Sequence, residues 1–187
     1  MKALTDREAM DWCTASPLQL EFDDAGLLRM PRESCTYSVD ISKMPWRALL
    51  PTATSLAFLG SHVPDEFSGG LVWIRRTHIA SPDWEEVVLR LLERFRISYG
   101  ESQSLEAARA QLFRANESAE FAGVILLVLL AEWDAYVVHP SGDWVAFIDN
   151  DDHITVTARS AELGKDLKAS LDTWGPTTRE PAPPRLF

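Results

Sequence analysis

The residues best suited by type and spacing to bind a metal ion run from Asp149 to His153 and read Asp-Asn-Asp-Asp-His. Clustered carboxylates beside an amide and an imidazole are typical ligands of Ca²⁺, Mg²⁺ or Mn²⁺. The string lacks the glycine and the distal glutamate of an EF-hand loop. Asp and Asn also stabilise tight turns through their own side chains, so turn chemistry explains the string without a metal. If the string does bind a metal, the protein would be a small metal-dependent hydrolase with Asp149, Asp151, Asp152 and His153 near its site; this function is the alternative to a non-catalytic protein.

Two histidines lie at the ends of neighbouring predicted strands, each with an acid a few residues away. These are His139 with Asp143 and His153 with Asp152. A His–Asp pair at a strand end can serve as a general base. A histidine in a surface turn is far commoner, and the four histidines show no HxH or HxxxH spacing. We therefore assign no catalytic residue.

Motifs for covalent catalysis and for nucleotide binding are absent from the sequence. There is no GxSxG, GxGxxG or GxxxxGK, and Cys13 and Cys35 do not lie beside a residue that would lower a thiol pKa. We expect both to be reduced thiols, with a disulfide as the alternative. The sequence thus favours a non-catalytic protein without a cofactor.

The one compact basic patch is Arg75-Arg76, close to His78. Arginine presents a planar, bidentate cation that suits carboxylates and other anions. The functional interpretation of the patch is an anion or carboxylate contact. The sequence favours the other interpretation, a strand-end pair whose charges are balanced by Glu or Asp side chains elsewhere in the fold.

The acidic residues are concentrated in one segment. Residues 115–158 contain no lysine or arginine, so they carry −8 of the formal net charge of −10. Such a field repels nucleic acid and anionic lipid and attracts basic partners. We therefore predict a basic protein partner or a second copy of the chain, with no nucleic acid or membrane partner. The carboxylates are Glu117, Glu120, Glu132, Asp134, Asp143, Asp149, Asp151 and Asp152.

Four aromatic residues lie within this acidic segment. Interfaces often place aromatic anchors at the centre and charge at the rim, and a toxin-neutralising or other inhibitory protein would fit this character and size. The alternative is that these aromatics pack under the flanking helices. A small-ligand domain with a tryptophan-lined cleft is a further possibility. The hypothesised interaction surface consists of Trp133, Asp134, Tyr136, Asp143, Trp144 and Phe147.

The first half of the chain predicts strands with few helices. Thr5 and Glu8 have the spacing of a capping box, and alternating apolar residues between turn residues indicate strands. The predicted elements are a helix over 5–14, hairpin strands over 18–22 and 27–30, a strand over 35–41, a helical turn over 46–50, a buried strand over 55–59 and a strand over 71–76.

The second half predicts helices around a three-stranded meander. Pro82 follows an N-cap serine, and apolar residues then recur at helical spacing. The run over 121–131 is apolar on nearly every side, which indicates a buried helix whose Gly123 contacts a sheet; a buried strand is the alternative. The predicted elements are helices over 82–100, 104–114, 118–133 and 160–174, and strands over 135–138, 144–148 and 154–157.

These elements predict a single α+β domain over 1–174. Its mostly antiparallel sheet combines the N-terminal strands with the C-terminal meander and is covered by helices. Residues 175–187 are rich in proline and predict a disordered tail. The apolar run over 121–131 is shorter than a membrane span, and no signal peptide is evident, so we expect a cytoplasmic protein of bacterial type.

Overall fold

The computed structural model describes residues 1–15, 20–22, 28–29, 35–42, 44–58, 69–77, 82–139, 143–151 and 153–172. Within these residues the chain forms a seven-stranded antiparallel sheet, a separate two-stranded hairpin and five helices. The predicted α+β class with a mostly antiparallel sheet is confirmed. The predicted tail over 175–187 lies outside the described residues.

The strands are β1 (Lys2–Leu4), β2 (Glu21–Phe22), β3 (Leu28–Arg29), β4 (Cys35–Asp40), β5 (Gly70–Arg76), β6 (Ala110–Phe113), β7 (Asp134–Val138), β8 (Trp144–Asp149) and β9 (His153–Ala158). The helices are α1 (Asp6–Ala15), α2 (Trp46–Phe58), α3 (Pro82–Ser98), α4 (Ser118–Ala131) and α5 (Ala161–Asp172). The large sheet has the order β1-β6-β5-β7-β8-β9-β4, and the predicted meander β7–β9 forms a contiguous part of it.

The sheet separates two apolar cores. Since side chains alternate along a strand, Ala135 and Val137 of β7 face α2, α3, α4 and α5, whereas Tyr136 and Val138 face α1 and the β2–β3 hairpin. Helix α4 lies against α2, α3 and β5, and α5 lies against β4 and β9. None of the described helices has the length and apolar content to cross a membrane.

Helix α4 is the most apolar element and is buried over most of its surface. Phe121 and Ile125 have no solvent exposure, so the helical interpretation of this segment is confirmed and the buried-strand alternative is wrong. The predicted close contact of Gly123 with a sheet is also wrong. Gly123 is exposed, and a Cβ atom added there would meet no atom within 4 Å.

We expect Gly123→Ala to raise the free energy of unfolding by about 0.5–1 kcal/mol, because alanine restricts the unfolded chain and fits the helix. Gly164→Ala in α5 is the matched control. Its added Cβ would lie 2.5 Å from Cε2 of Tyr37, so this variant should be destabilised. Urea unfolding of both variants measures the difference, and equal effects of the same sign would contradict the packing described here.

Two predicted elements are wrong. Residues 55–58 of the predicted strand over 55–59 belong to α2, and residue 59 lies outside the described residues. Helix α2 continues through Pro51, with Ala53, Leu56 and Ala57 buried at helical spacing. A short apolar run fits either structure. The predicted helix over 104–114 is instead a turn-rich segment followed by β6, which the sequence did not predict. There the sheet pairing with β1 and β5 outweighs local helix propensity.

Candidate functional site

The aromatic residues of the hypothesised interaction surface are mostly buried. Trp133 and Trp144 have no exposure and Tyr136 is 6% exposed, whereas Phe147 is partly buried. Trp144 stacks on the ring of His139, and Tyr136 contacts Phe147 with ring centroids 4.9 Å apart. These residues contribute to the two cores, so the exposed aromatic surface that we hypothesised is not formed by Trp133, Tyr136 and Trp144. Since Trp73 is also buried, no tryptophan-lined cleft arises from these residues either.

The sheet register brings acidic residues of distant segments together. In the backbone register, Arg76 of β5 lies opposite Asp134 of β7, and Asp149 of β8 lies opposite His153 of β9. On the other side of β9, Asp40 of β4 lies opposite His153. The β7–β8 pairing begins at Ala135 and Ile148, which places Asp134 beside Asp149. One end of the sheet therefore carries a row of ionisable side chains from five strands.

We define the acidic corner as Glu132, Asp134, Asp149 and Asp151, the carboxylates at the end of α4, at the start of β7 and around the β8–β9 turn. None of the ion pairs formed between described residues involves these four side chains. Three other carboxylates of the acidic segment contact a positive group or a side-chain hydroxyl. Glu117 contacts the Met1 ammonium, Glu120 the Tyr99 hydroxyl, and Asp143 the Arg159 guanidinium.

Turn chemistry holds the corner in place. The Asn150 N–H donates to Oδ1 of Asp134 at 2.8 Å, and the Asp151 N–H donates to Oδ1 of Asp149 at 2.9 Å. Nδ1 of His153 lies 2.7 Å from the Asp151 carbonyl oxygen. The described residues contain no group of three or more His, Cys, Asp or Glu side chains arranged to hold a metal. Asp152, the remaining metal candidate, lies outside the described residues.

The pKa of Asp134 is raised, mainly by burial and also by the negative charges of Asp149 and Asp151. The Asn150 amide and the charge of Arg76 act in the opposite direction. Burial is the largest cause of the raised pKa, and the charge of Asp149 acts on it more strongly than the charge of Arg76. An added cation at this place would relieve the repulsion.

Glu132 ends α4 in the left-handed conformation, with φ of 54°. It is the one non-glycine residue with positive φ among the described residues, and glycine is the usual residue at such a helix end. A side chain held there costs on the order of 1–3 kcal/mol. Glu132 is exposed and lies two residues before Asp134 in the chain.

The basic patch contributes to a different site. The Arg75 guanidinium lies 4.4 Å from the centroid of the Trp73 ring. Arg76 and Arg109 line a cleft of about 340 Å³ between β5 and α3, and Nη1 of Arg109 donates to the Arg75 carbonyl oxygen at 3.1 Å. The sequence pattern did not indicate Arg109, which β6 brings to the patch. His78 lies outside the described residues.

His139 and Cys13 are both buried. Burial lowers the pKa of His139, although the nearby Asp143 acts to raise it. Burial raises the pKa of the Cys13 thiol to about 12, which leaves it protonated at neutral pH. Cys13 and Cys35 are both free thiols. The surroundings of His139 and Cys13 suit core packing more than proton transfer or nucleophilic attack.

No protein-family model, curated protein or solved structure matches this chain. Function is therefore inferred from the described residues.

Proposed function

We propose that the protein is a non-catalytic interaction protein that binds a basic protein partner through the acidic corner. The observation that carries this proposal is the sheet register, which places Asp134 beside Asp149 with no ion pair to either among the described residues. A basic partner is favoured over a second copy, because two chains of net charge −10 repel each other at equivalent acidic surfaces. A cytoplasmic inhibitor that covers a basic surface of an enzyme or toxin is the finer form of this proposal.

Electrostatics make the corner suited to capturing cations. The raised pKa of Asp134 reflects burial and the neighbouring Asp149 and Asp151 charges. A lysine or arginine from a partner would offset these charges, and binding should therefore weaken as Asp134 is protonated at low pH. Such contacts also accelerate encounter and are screened by salt.

Neutralising the corner should weaken binding of a basic probe. The corner variant carries Glu132→Gln, Asp134→Asn, Asp149→Asn and Asp151→Asn, which keep the side-chain oxygens that accept turn hydrogen bonds. Exposed charge pairs contribute about 0.2–1 kcal/mol each, so the loss of four should raise the Kd for a decalysine peptide by about fourfold or more. Fluorescence anisotropy at low ionic strength measures this Kd.

A charge-matched control separates the corner from general acidity. The control variant carries the exposed substitutions Asp11→Asn, Glu21→Gln, Glu162→Gln and Asp166→Asn. Because it removes the same number of carboxylates from other surfaces, its Kd should change less than about threefold. If both variants lost the same affinity, the negative field would be diffuse and the corner would not be the binding site.

A further inference from the structure

Helix α1 and the β2–β3 hairpin pack against only part of one face of the large sheet in the described structure. The sheet residues of that core come from β1, β5, β6, β7 and β8, and among the described residues none comes from β9 or β4. Side chains that lie directly opposite each other on paired strands share one face of a sheet. Strands β8, β9 and β4 therefore continue this face beyond its apolar core.

The side chains on this continuation are partly open to solvent, and most of them carry hydroxyl groups. Phe147 of β8 lies opposite Thr155 of β9, and Thr155 lies opposite Ser38 of β4. These three are partly exposed, and Thr36 of β4 is exposed. The hydroxyls of Thr36 and Thr157 lie 3.2 Å apart, a cross-strand contact that orders the outer side chains. We define the open face as Thr36, Ser38, Phe147 and Thr155.

Phe147 is the aromatic residue of the open face. Its ring contacts the buried Tyr136 with centroids 4.9 Å apart. It packs at the edge of the core under α1 and the hairpin, yet it keeps part of its surface exposed. An aromatic side chain that the fold holds in place and leaves partly accessible is typical of the anchors of protein interfaces.

The open face ends at a row of carboxylates. Asp149 and Asp40 lie opposite His153 on its two sides. Each is two residues along its strand from Phe147 or Ser38, so both belong to the same face. Strands β4, β8 and β9 contain no lysine or arginine. A basic partner on this face therefore meets an aromatic and hydroxyl surface bordered by negative charge, without a repelling cation from these strands.

We propose that the open face binds an apolar side chain of the basic partner, while neighbouring lysine or arginine side chains of that partner contact the acidic corner. This role rests on the proposed function, because the open face and the acidic corner contact the same partner. Charge complementarity selects the occupant, since the bordering carboxylates favour a basic segment, whereas a second copy brings a net charge of −10. Burial of Phe147 contributes affinity, and the charges contribute specificity and the rate of encounter.

Two peptides of equal charge test the proposal. One is decalysine, and the other has two leucines between two runs of five lysines. Wild type should bind the leucine peptide at least about threefold more tightly, because contact with Phe147 removes apolar surface from water. Phe147→Ala should bring the two Kd values within about twofold of each other. Fluorescence anisotropy at equal ionic strength measures both Kd values for each variant.

Two further variants separate this role from the proposed function. Leu91→Ala removes a side chain that is 51% exposed on α3, and it should keep the preference for the leucine peptide. The corner variant should weaken the binding of both peptides and also keep the preference. If the corner variant left both Kd values unchanged, the proposed function would fail. Equal Kd values in wild type, or a preference that Phe147→Ala retains, would overturn the role of the open face alone.

If Phe147→Ala does not fold, Thr155→Ile replaces it, since isoleucine suits a strand and enlarges the apolar surface beside Phe147. A stronger preference for the leucine peptide then supports the open face, and an unchanged or weaker preference overturns its role. Sedimentation of wild type tests the other occupant. A dimer that Phe147→Ala dissociates would identify the open face as a contact between two copies and would overturn the proposal.

Discussion

Replacing Trp144 with alanine is expected to lower the free energy of unfolding by about 3–5 kcal/mol. The Trp144 side chain has no exposure, and its ring stacks on His139 with centroids 5.7 Å apart. Alanine would leave a cavity between the sheet and the helices that the surroundings fill only in part. Urea unfolding measures the loss. Leu50→Ala is the control, since Leu50 is 57% exposed and its truncation should cost less than about 0.5 kcal/mol.

The same variant separates the core role of Trp144 from the interface role that its sequence context suggested. An exposed anchor would lose partner binding on truncation while the stability stayed almost unchanged. A loss of stability below about 1 kcal/mol would therefore contradict the burial described here. Trp144→Phe should fall between wild type and Trp144→Ala, because it keeps an aromatic ring in the core.

Glu117→Gln is the second variant with a large expected effect, a loss of about 3–5 kcal/mol from breaking a buried ion pair. Glu117 is buried and pairs through Oε1 with the Met1 ammonium, while Oε2 accepts the Arg114 N–H at 2.8 Å. Glutamine keeps an oxygen acceptor but leaves the ammonium without its counter-charge. Urea unfolding of a chain that begins at Met1, with any tag after residue 187, measures the change.

Acid should remove the same interaction. Burial by itself would raise the pKa of Glu117, but the Met1 ammonium and the Arg114 amide outweigh it and the pKa lies below the usual 4.5. A carboxyl with a lowered folded-state pKa stabilises the fold above its unfolded pKa, and this stability is lost as the pH falls through the folded pKa. Wild type should therefore lose more stability than Glu117→Gln below about pH 4.5.

Glu120→Gln is the control for both measurements, since Glu120 accepts only the Tyr99 hydroxyl at 2.9 Å among the bonds described above. Because glutamine keeps an oxygen that can accept the Tyr99 hydroxyl, the cost should stay below about 1.5 kcal/mol, the upper end of the contribution of one hydrogen bond. Equal stabilities of Glu117→Gln and Glu120→Gln would contradict a buried ion pair at Glu117.

Local sequence signals predicted the elements that depend on local interactions. The capping box of α1 is present, with the Thr5 N–H donating to Oε2 of Glu8 at 2.8 Å and the Glu8 N–H donating to Oγ1 of Thr5 at 3.3 Å. Helix α3 begins at the predicted proline, and the three meander strands lie within one or two residues of their predicted bounds. Capping and turn residues act over a few positions, so a single sequence reveals them.

The failed predictions involve contacts between distant segments. Strand β6 exists because Leu112 pairs with Lys2 on one side and Leu71 on the other, and nothing within 104–114 encodes these partners. Helix α3 has the predicted spacing of apolar residues, yet Val87 and Leu91 are exposed and Arg96 is buried. An apolar stripe shows which face of a helix can be buried, but the packing of the other elements determines how much of that face is buried.

The sequence alone predicts only part of the acidic corner. The absence of basic residues over 115–158 indicated a negative field, and Asp134, Asp149 and Asp151 were identified from it. The addition of Asp40 to the row depends on the β4–β9 pairing, and the left-handed conformation of Glu132 depends on where α4 ends. The burial of Trp133, Tyr136 and Trp144 could not be predicted, because alternation along β7 and β8 shows that side chains point to opposite faces without showing that both faces are covered.

Amide chemical-shift mapping with decalysine tests the central claim most directly. Titration of the ¹⁵N-labelled protein should produce its largest shifts at Glu132, Asp134 and residues 149–153, with smaller shifts at the exposed acids of α1 and α5. The shifts should saturate at one Kd and decrease with added salt. Shifts spread evenly over all acidic surfaces, or concentrated away from the corner, would contradict the proposed function.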